Sequence, residues 1–308
     1  MKLFLSVVVL AFSTVALGLP LISKRATICN RRSELCSRPY GNTTFLGSHN
    51  SYAVSTDIFA VGRNQEVSVT AQLDLGVRFL QAQAHIRTSL TAGFQAAYGI
   101  LFDGGLVVNY LKTVKTWLDA HPNEVLTILV TNPDDASLKD VWKPAFDSSG
   151  ITPLIYVPPT NPMKRGDWPT LGSLIDSGKR VVVFMDYGAD GAGVDFILPQ
   201  FKMIWEPPFS STDSNFPCSV DRSEGPLSTQ DHMHMLNHNL NVNIIPIGDG
   251  VLVADRANAA RTNSVQSIMA NVGGCAPLAG GKAPNFVMLD WVNVGEGMKA
   301  VNMLNGFA

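Results

Sequence analysis

The chain has 308 residues and a mass of 33.2 kDa; 46% of the residues are hydrophobic and 16% charged. That composition builds a large core and excludes a disordered chain. Residues 1–25 contain Lys2, Lys24 and Arg25 and no acidic side chain; beyond them 20 basic residues face 25 acidic ones, and the net charge of −5 excludes the basic footprint that nucleic acids or anionic membranes demand.

Lys2 is followed by LFLSVVVLAF and then by the small residues STVALG. A positive end, an apolar run of about ten residues and a small-residue exit predict a secretory signal peptide. The alternative, a membrane anchor, needs a span of about 20 apolar residues. Lys24-Arg25 adds a dibasic processing site, so residues 1–25 are expected to be removed and residues 26–308 to form one folded unit. No later stretch is long and apolar enough to cross a bilayer, and the terminal KAVNMLNGFA falls short of the tail of a lipid-anchor signal. A secreted, extracellular, monomeric protein is expected, and its four cysteines suit that compartment. Three pairings are open. Cys29–Cys36 with Cys218–Cys275 is preferred, because each closes a loop within its own region. No C-x2-C spacing supports a zinc site. Asn42-Thr43-Thr44 is an N-glycosylation acceptor.

TTFLGSH (43–49) predicts a strand and its exit loop, and VRFLQAQAHI (77–86) a second strand. LVVNYLKTVKTWLDAH (106–121) predicts a helix, since Leu111, Val114 and Leu118 recur every three to four residues; Pro122-Asn123 stops it. VLTILVTN (125–132) is a third strand, SLIDSG (173–178) closes a helix, and RVVVFMDY (180–187) is a fourth strand. NVNIIPIGD (241–249) is a weaker strand or loop. RANAARTNSVQSIMANVGG (256–274) predicts one polar helix ending at Gly273-Gly274, and NFVMLDW (285–291) the last strand. Fully apolar runs such as VVVF and LTILV suit strands buried on both faces. Strands alternating with helices predict parallel βαβ units. The expected fold is α/β: a single, distorted β/α barrel of the TIM type. The alternative, an open doubly wound sheet, usually carries a Gly-rich phosphate loop after an early strand, and none is present.

In such a barrel the functional groups gather at the C-terminal ends of the strands. Those ends offer His49 and Asn50, then Gln81, Gln83 and His85, which share one face because strand side chains alternate. Thr131 and Asn132 end the third strand, Asp186 the fourth and Asp290 the last. A histidine ending one strand and an aspartate ending another make a base and its orienting carboxylate. Asp186 either pairs with a cation or binds substrate. His232, His234 and His238 do not share one helical face and are read as helix surface and packing, not as metal ligands.

FLGSHNSYAV and, at the expected distance, AQLDLGVRFLQAQAH (71–85) resemble the first catalytic boxes of the phosphatidylinositol-specific phospholipase C X-domain superfamily. YLKTVKTWLDAHPNEVLTILVTN is similar to the next box. GKRVVVFMDYGAD, the WEPPF…FPCSVDR region and PNFVMLDWVNVGEG resemble a secreted fungal branch of it. The resemblance spans roughly residues 29–305. It implies a distorted TIM-type barrel that cleaves phosphodiesters, with a phospholipid headgroup or a soluble phosphodiester as partner and peripheral contact with membranes. In the family one histidine takes the proton of the inositol 2-hydroxyl, which attacks phosphorus; a second protonates the leaving alkoxide; an arginine or calcium ion neutralises the phosphate. By position the first histidine is His49, Asn50 stands where the family has Asp or Asn, and Asp290 matches the orienting carboxylate.

The remaining positions depart from the family. Aligning LFDGG on the box after the second histidine puts Ala96 at that histidine. Gln81 and Gln83 stand where calcium-dependent members carry acidic ligands and where bacterial members carry an aspartate and an arginine. Two neutral amides make a poor calcium site, so no cofactor is expected. His85, two residues past Gln83, is the candidate replacement acid. A general acid or base is worth about 10²–10⁴-fold in rate. The expected activity is therefore a phosphoric diester hydrolase with His49 as base, Asp290 as its partner, and Asn50, Gln81, Gln83 and Asp186 binding substrate. The alternative is a barrel with impaired catalysis that binds a phosphorylated polyol, lipid headgroup or wall component. A glycoside hydrolase would need two facing carboxylates, for which Asp186 and Asp290 are the candidates.

Overall fold

Strand side chains alternate in direction, and that alternation decides the architecture. The computed structural model describes residues 25–86, 94–98 as backbone, 102–190, 193–245 and 250–307. The expected leader at 1–24 and the end of the 241–249 segment lie outside the described residues. In chain order the elements begin with β1 (Phe45–Ser48), α1 (Val69–Leu75), β2 (Phe79–Ile86), β3 (Phe94–Tyr98), β4 (Phe102–Leu106), α2 (Val107–Ala120) and β5 (Leu126–Thr131). Then come α3 (Lys143–Ser149), α4 (Leu171–Asp176), β6 (Val181–Met185), β7 (Ile197–Pro199) and β8 (Ile204–Trp205). The last third holds β9 (Met233–Asn237), β10 (Asn241–Asn243), β11 (Leu252–Ala254), α5 (Ala259–Thr262), α6 (Val265–Cys275), β12 (Phe286–Leu289) and α7 (Gly297–Leu304).

The main sheet runs β7-β6-β5-β2-β1-β12-β9-β8, with every neighbour along that path parallel. Followed around, this is chain order, the order of a β/α barrel. β7 and β8 hold the two edges and are joined by residues 200–203 alone. So short a link brings the edges together, and the sheet curls. No ladder joins β7 to β8 among the described residues, so the expected ring carries a seam. The connections β6–β7, β7–β8 and β8–β9 hold no α-helix among the described residues, which is the distortion. β3 and β4 extend β2 as an antiparallel hairpin, and β10 with β11 forms a separate two-stranded sheet.

Each barrel strand sends one row of side chains outward under the helices. Leu46, Leu80, Ile128, Val130, Val183, Ile197, Val287 and Leu289 join Leu111 and Val114 of α2, Ile268 of α6 and Val301 of α7 in one buried layer. The other row points into the barrel: Phe45, Phe79, Leu129, Phe184, Leu198, Ile204, Met235, Phe286 and Met288 pack together. A Cβ on Gly47 would stand 2.4 Å from the Phe79 ring, so glycine there leaves Phe79 room inside. Toward the C-terminal ends the inward rows turn polar, to Gln81 and Gln83, Thr131, Asp186, Gln200, Glu206 and Asn237, all on one cavity wall. The barrel thus has an apolar floor and a polar mouth.

Two predicted elements are corrected. Residues 256–274 form two helices rather than one: the chain breaks at Asn263-Ser264, where the Ser264 hydroxyl caps α6 by accepting from the Ser267 N–H. His232, His234 and His238 lie on or beside β9, not on a helix, and all three are buried. His234 stacks on Trp205 with ring centroids 4.8 Å apart. His232 meets the Ser228 carbonyl at 2.9 Å, and His238 meets the Thr262 carbonyl at 2.8 Å. Both preferred disulfides, Cys29–Cys36 and Cys218–Cys275, are formed. Asn42 of the glycosylation acceptor is exposed.

Candidate active site

β1 ends at Ser48, and the next two residues turn into the mouth. The His49 N–H donates to the Leu289 carbonyl at 2.9 Å, tying the turn to β12. Asn50 adopts a positive φ of 39°, which asparagine tolerates better than most residues. Its N–H donates to Gln81 Oε1 at 2.7 Å. Gln81 is thereby engaged in holding this turn. Gln83 lies two residues on and lines the same cavity.

The structure brings His49 and Asp290 together from opposite ends of the chain. His49 Nδ1 lies 2.8 Å from Asp290 Oδ1. The carboxylate accepts, so Nδ1 carries the proton and Nε2 the lone pair. Asn50 Nδ2 sits 3.3 Å from that Nε2. Asp290 is 4% exposed, and Asn64 Nδ2 also donates to its Oδ1, at 2.9 Å. Behind it, Asn263 Nδ2 donates to the carbonyls of Asp290, Trp291 and Val294 at 2.8, 3.2 and 3.0 Å. Gln65 completes the brace: its amide donates to the His49 and Leu289 carbonyls and accepts from the Val292 N–H. Trp291, held at φ 53°, needs that bracing.

His49, Asn50, Gln81, Gln83 and Asp186 all line one cavity of about 350 Å³ at the barrel mouth. His85 does not. β2 runs past the mouth into the hairpin, where His85 is paired in register with Gln95. Its Nδ1 lies 2.9 Å from Asp134 Oδ1, which makes it a rim contact beyond the mouth. Ala96 pairs in register with Ala84 on the same hairpin.

The same cavity holds two residues whose pairing the sequence did not disclose. Arg222 forms an ion pair with Glu206, and both line the cavity. A guanidinium is thus present in the mouth, and it comes from the loop before β9, not from β2, where Gln81 and Gln83 stand. Glu206 is fully buried. Burial pushes its carboxyl up to about 7, against the pull of Arg222. Burial also raises Asp186, which accepts from the Asn132 N–H at 2.8 Å and feels Arg222 as well. Arg63 adds a second cation at the rim, over the Trp291 ring. Both residues fall in the WEPPF…FPCSVDR region, but nothing in the chain announced that they pair across sixteen residues.

Gln81 Oε1 already accepts from Asn50, Glu206 is paired with Arg222, and no group of three His, Cys, Asp or Glu side chains among the described residues is placed to hold a metal ion.

A curled parallel β/α barrel with a histidine–aspartate pair at its polar mouth defines a TIM-type barrel of the phospholipase C kind. The chain belongs to the PI-PLC X family, whose model matches residues 35–305. It is 42% identical over 284 residues to the "PI-PLC X domain-containing protein 1" of Arthroderma benhamiae, covering 91% of this chain and 90% of that protein. It is 38% identical over 273 residues to a protein of the same organism called an "Uncharacterized secreted protein", covering 87% of this chain and 61% of the relative. Among solved structures, the phosphatidylinositol-specific phospholipase C of Listeria monocytogenes superposes with a TM-score of 0.57 at 12% identity, covering 89% of this chain and 96% of that one. A Staphylococcus aureus enzyme of the same name gives 0.55 at 14% identity, with 89% and 95% covered. At such identities the two structures speak for the fold.

Proposed function

We propose that this chain is a secreted phosphodiesterase of the phosphatidylinositol-specific phospholipase C type, working with His49 as general base and without a metal ion. His49 Nε2 takes the proton of a substrate hydroxyl beside the phosphate. That oxygen bonds to phosphorus, the bond from phosphorus to the leaving oxygen breaks, and the leaving alkoxide collects a proton. Asp290 keeps the imidazole in the tautomer that leaves Nε2 basic. The observation that carries the reading is the 2.8 Å contact between His49 Nδ1 and Asp290 Oδ1 at the cavity mouth.

The substrate class follows from the walls. Asn50 Oδ1, Thr131 Oγ1, Asn237 Oδ1 and Asn239 Oδ1 are buried at this cavity without a protein donor among the described residues. Buried acceptors seek donors, and the hydroxyls of a polyol headgroup supply them. Val61 and Phe209, both exposed, line this cavity, and Ile58 and Phe59, 72% and 83% exposed, precede Val61 in the same loop. Exposed apolar residues at a polar cavity favour a substrate presented from a lipid surface. The two disulfides and the relative named as secreted support an extracellular site of action.

The test is turnover of phosphatidylinositol vesicles and of soluble glycerophosphodiesters, with calcium or a chelator. His49→Ala is expected to lower turnover by about 10²–10⁴-fold, and the chelator to have no effect. Binding of the headgroup with no turnover by the wild type would replace this reading with that of a binding protein.

A further inference from the structure

We propose that Arg222 is the phosphate-binding cation of this site and that Glu206, its ion-pair partner, is the group that protonates the leaving oxygen. This inference rests on the proposed phosphodiesterase chemistry and assigns the half of it that His49 and Asp290 leave open.

The pair is held rigidly. Asp221 and Arg222 donate their N–H groups to the Glu206 carbonyl, and Glu206 donates its own to the Arg222 carbonyl. The Arg222 guanidinium lies 4.2 Å from the Phe209 ring centroid and 5.1 Å from that of Phe201. Four residues before Arg222, Cys218 is bonded to Cys275 at the end of α6. Such a guanidinium loses little freedom when it binds an anion. Its Nε is buried with no acceptor among the described residues. Arg63, the other cation at the mouth, is committed elsewhere: it donates to the Ser55 carbonyl and lies over Trp291.

Binding and proton supply are coupled. Glu206 is enclosed, faces the like charges of Asp186 and Asp221, and has Arg222 as its counter-charge; Gln200 and Asn237 are its neutral hydrogen-bond partners. A diester phosphate arriving at Arg222 withdraws that counter-charge and adds a negative one. Both changes favour the protonated carboxyl. Substrate binding therefore draws one proton onto Glu206. During the reaction the P–O bond to the leaving group breaks and its oxygen takes that proton, while His49 holds the proton of the attacking hydroxyl; proton return from His49 through solvent closes the cycle.

The experiment is titration calorimetry at pH 7.5 with glycerophosphoinositol, a diester that does not itself titrate near neutrality, in buffers of different ionisation enthalpy. Uptake approaching one proton per diester bound, about 0.5–1, is expected. Glu206→Gln, matched in shape, is expected to bind without uptake. Arg222→Gln is expected to weaken binding by about 10–100-fold, the worth of a charged hydrogen-bonded contact. If Arg222→Gln does not fold by circular dichroism, Arg222→Lys carries the same prediction at several-fold. Uptake that survives Glu206→Gln, affinity untouched by either arginine change, or no binding by the folded wild type would each overturn the proposal. Proton-coupled binding without any turnover would sink the phosphodiesterase reading and with it the acid role of Glu206, and would leave Arg222 standing as the phosphate-binding cation. Turnover that survives both substitutions would do the reverse.

Discussion

Asn263→Ala tests whether the dyad depends on the brace behind it. Asn263 is 1% exposed, and its two amide hydrogens serve the carbonyls of Asp290, Trp291 and Val294. Alanine removes both donors. The Val294 contact is only part-buried and water can replace it, so two orphaned carbonyls count. At about 1–3 kcal/mol each, the expected loss is about 2–6 kcal/mol. At about 2 °C per kcal/mol in a domain of this size, that lowers Tm by about 4–12 °C. Trp291, held at φ 53°, then loses the Asn263 part of its brace, and relaxation of that residue moves Asp290 away from His49. Turnover is expected to fall by about 10²-fold or more although Asn263 touches no substrate. Asn263→Asp should be worse, since it sets a carboxylate against three carbonyl oxygens. The assay is urea unfolding beside turnover, with KM and kcat measured separately. A variant within about 0.5 kcal/mol of wild type would refute the reasoning.

Stability is expected to fall as pH drops through the window from about 6.5 to about 3, because burial lowers His234 to about 3 and the unfolded chain takes up a proton there that the folded one refuses. His234→Phe, which keeps the ring on Trp205, should flatten acid unfolding curves below pH 6; an unchanged curve would exclude His234 as a source. Reducing Cys218–Cys275, which spans 57 residues, should cost about 4 kcal/mol by loop entropy and loosen the Arg222 loop, as read by denaturant midpoints with and without reductant. Terminal sequencing of the secreted protein should begin at Ala26. Its backbone nitrogen stands 2.7 Å from Asp176 Oδ1, so the freed ammonium forms an exposed ion pair, and Asp176→Asn should cost under about 1 kcal/mol.

The sequence alone determined the layers and half of the site. Apolar runs such as VVVF and LTILV have to be buried on both faces, and the strands β1, β2, β5, β6 and β12 followed from them. Period-two alternation put Gln81 and Gln83 on one face, and the motif around SHNSY placed His49 at a strand exit. The pairing of His49 with Asp290 was legible for the same reason: both end strands of one parallel sheet, and parallel strands bring their C-terminal ends together. Only the tertiary structure decided the rest. β7 and β8 are three and two residues long, too short to carry a pattern. β9 is buried on both faces, so its histidines show no polar period. His85 obeys the alternation but lies past the mouth, because strand length, not face, sets depth along a barrel. Arg222 meets Glu206, and Asn263 meets the Asp290 turn, through irregular loops. Loop contacts have no period, and a hydrogen bond between residues far apart in the chain leaves no mark on either until the chain has folded.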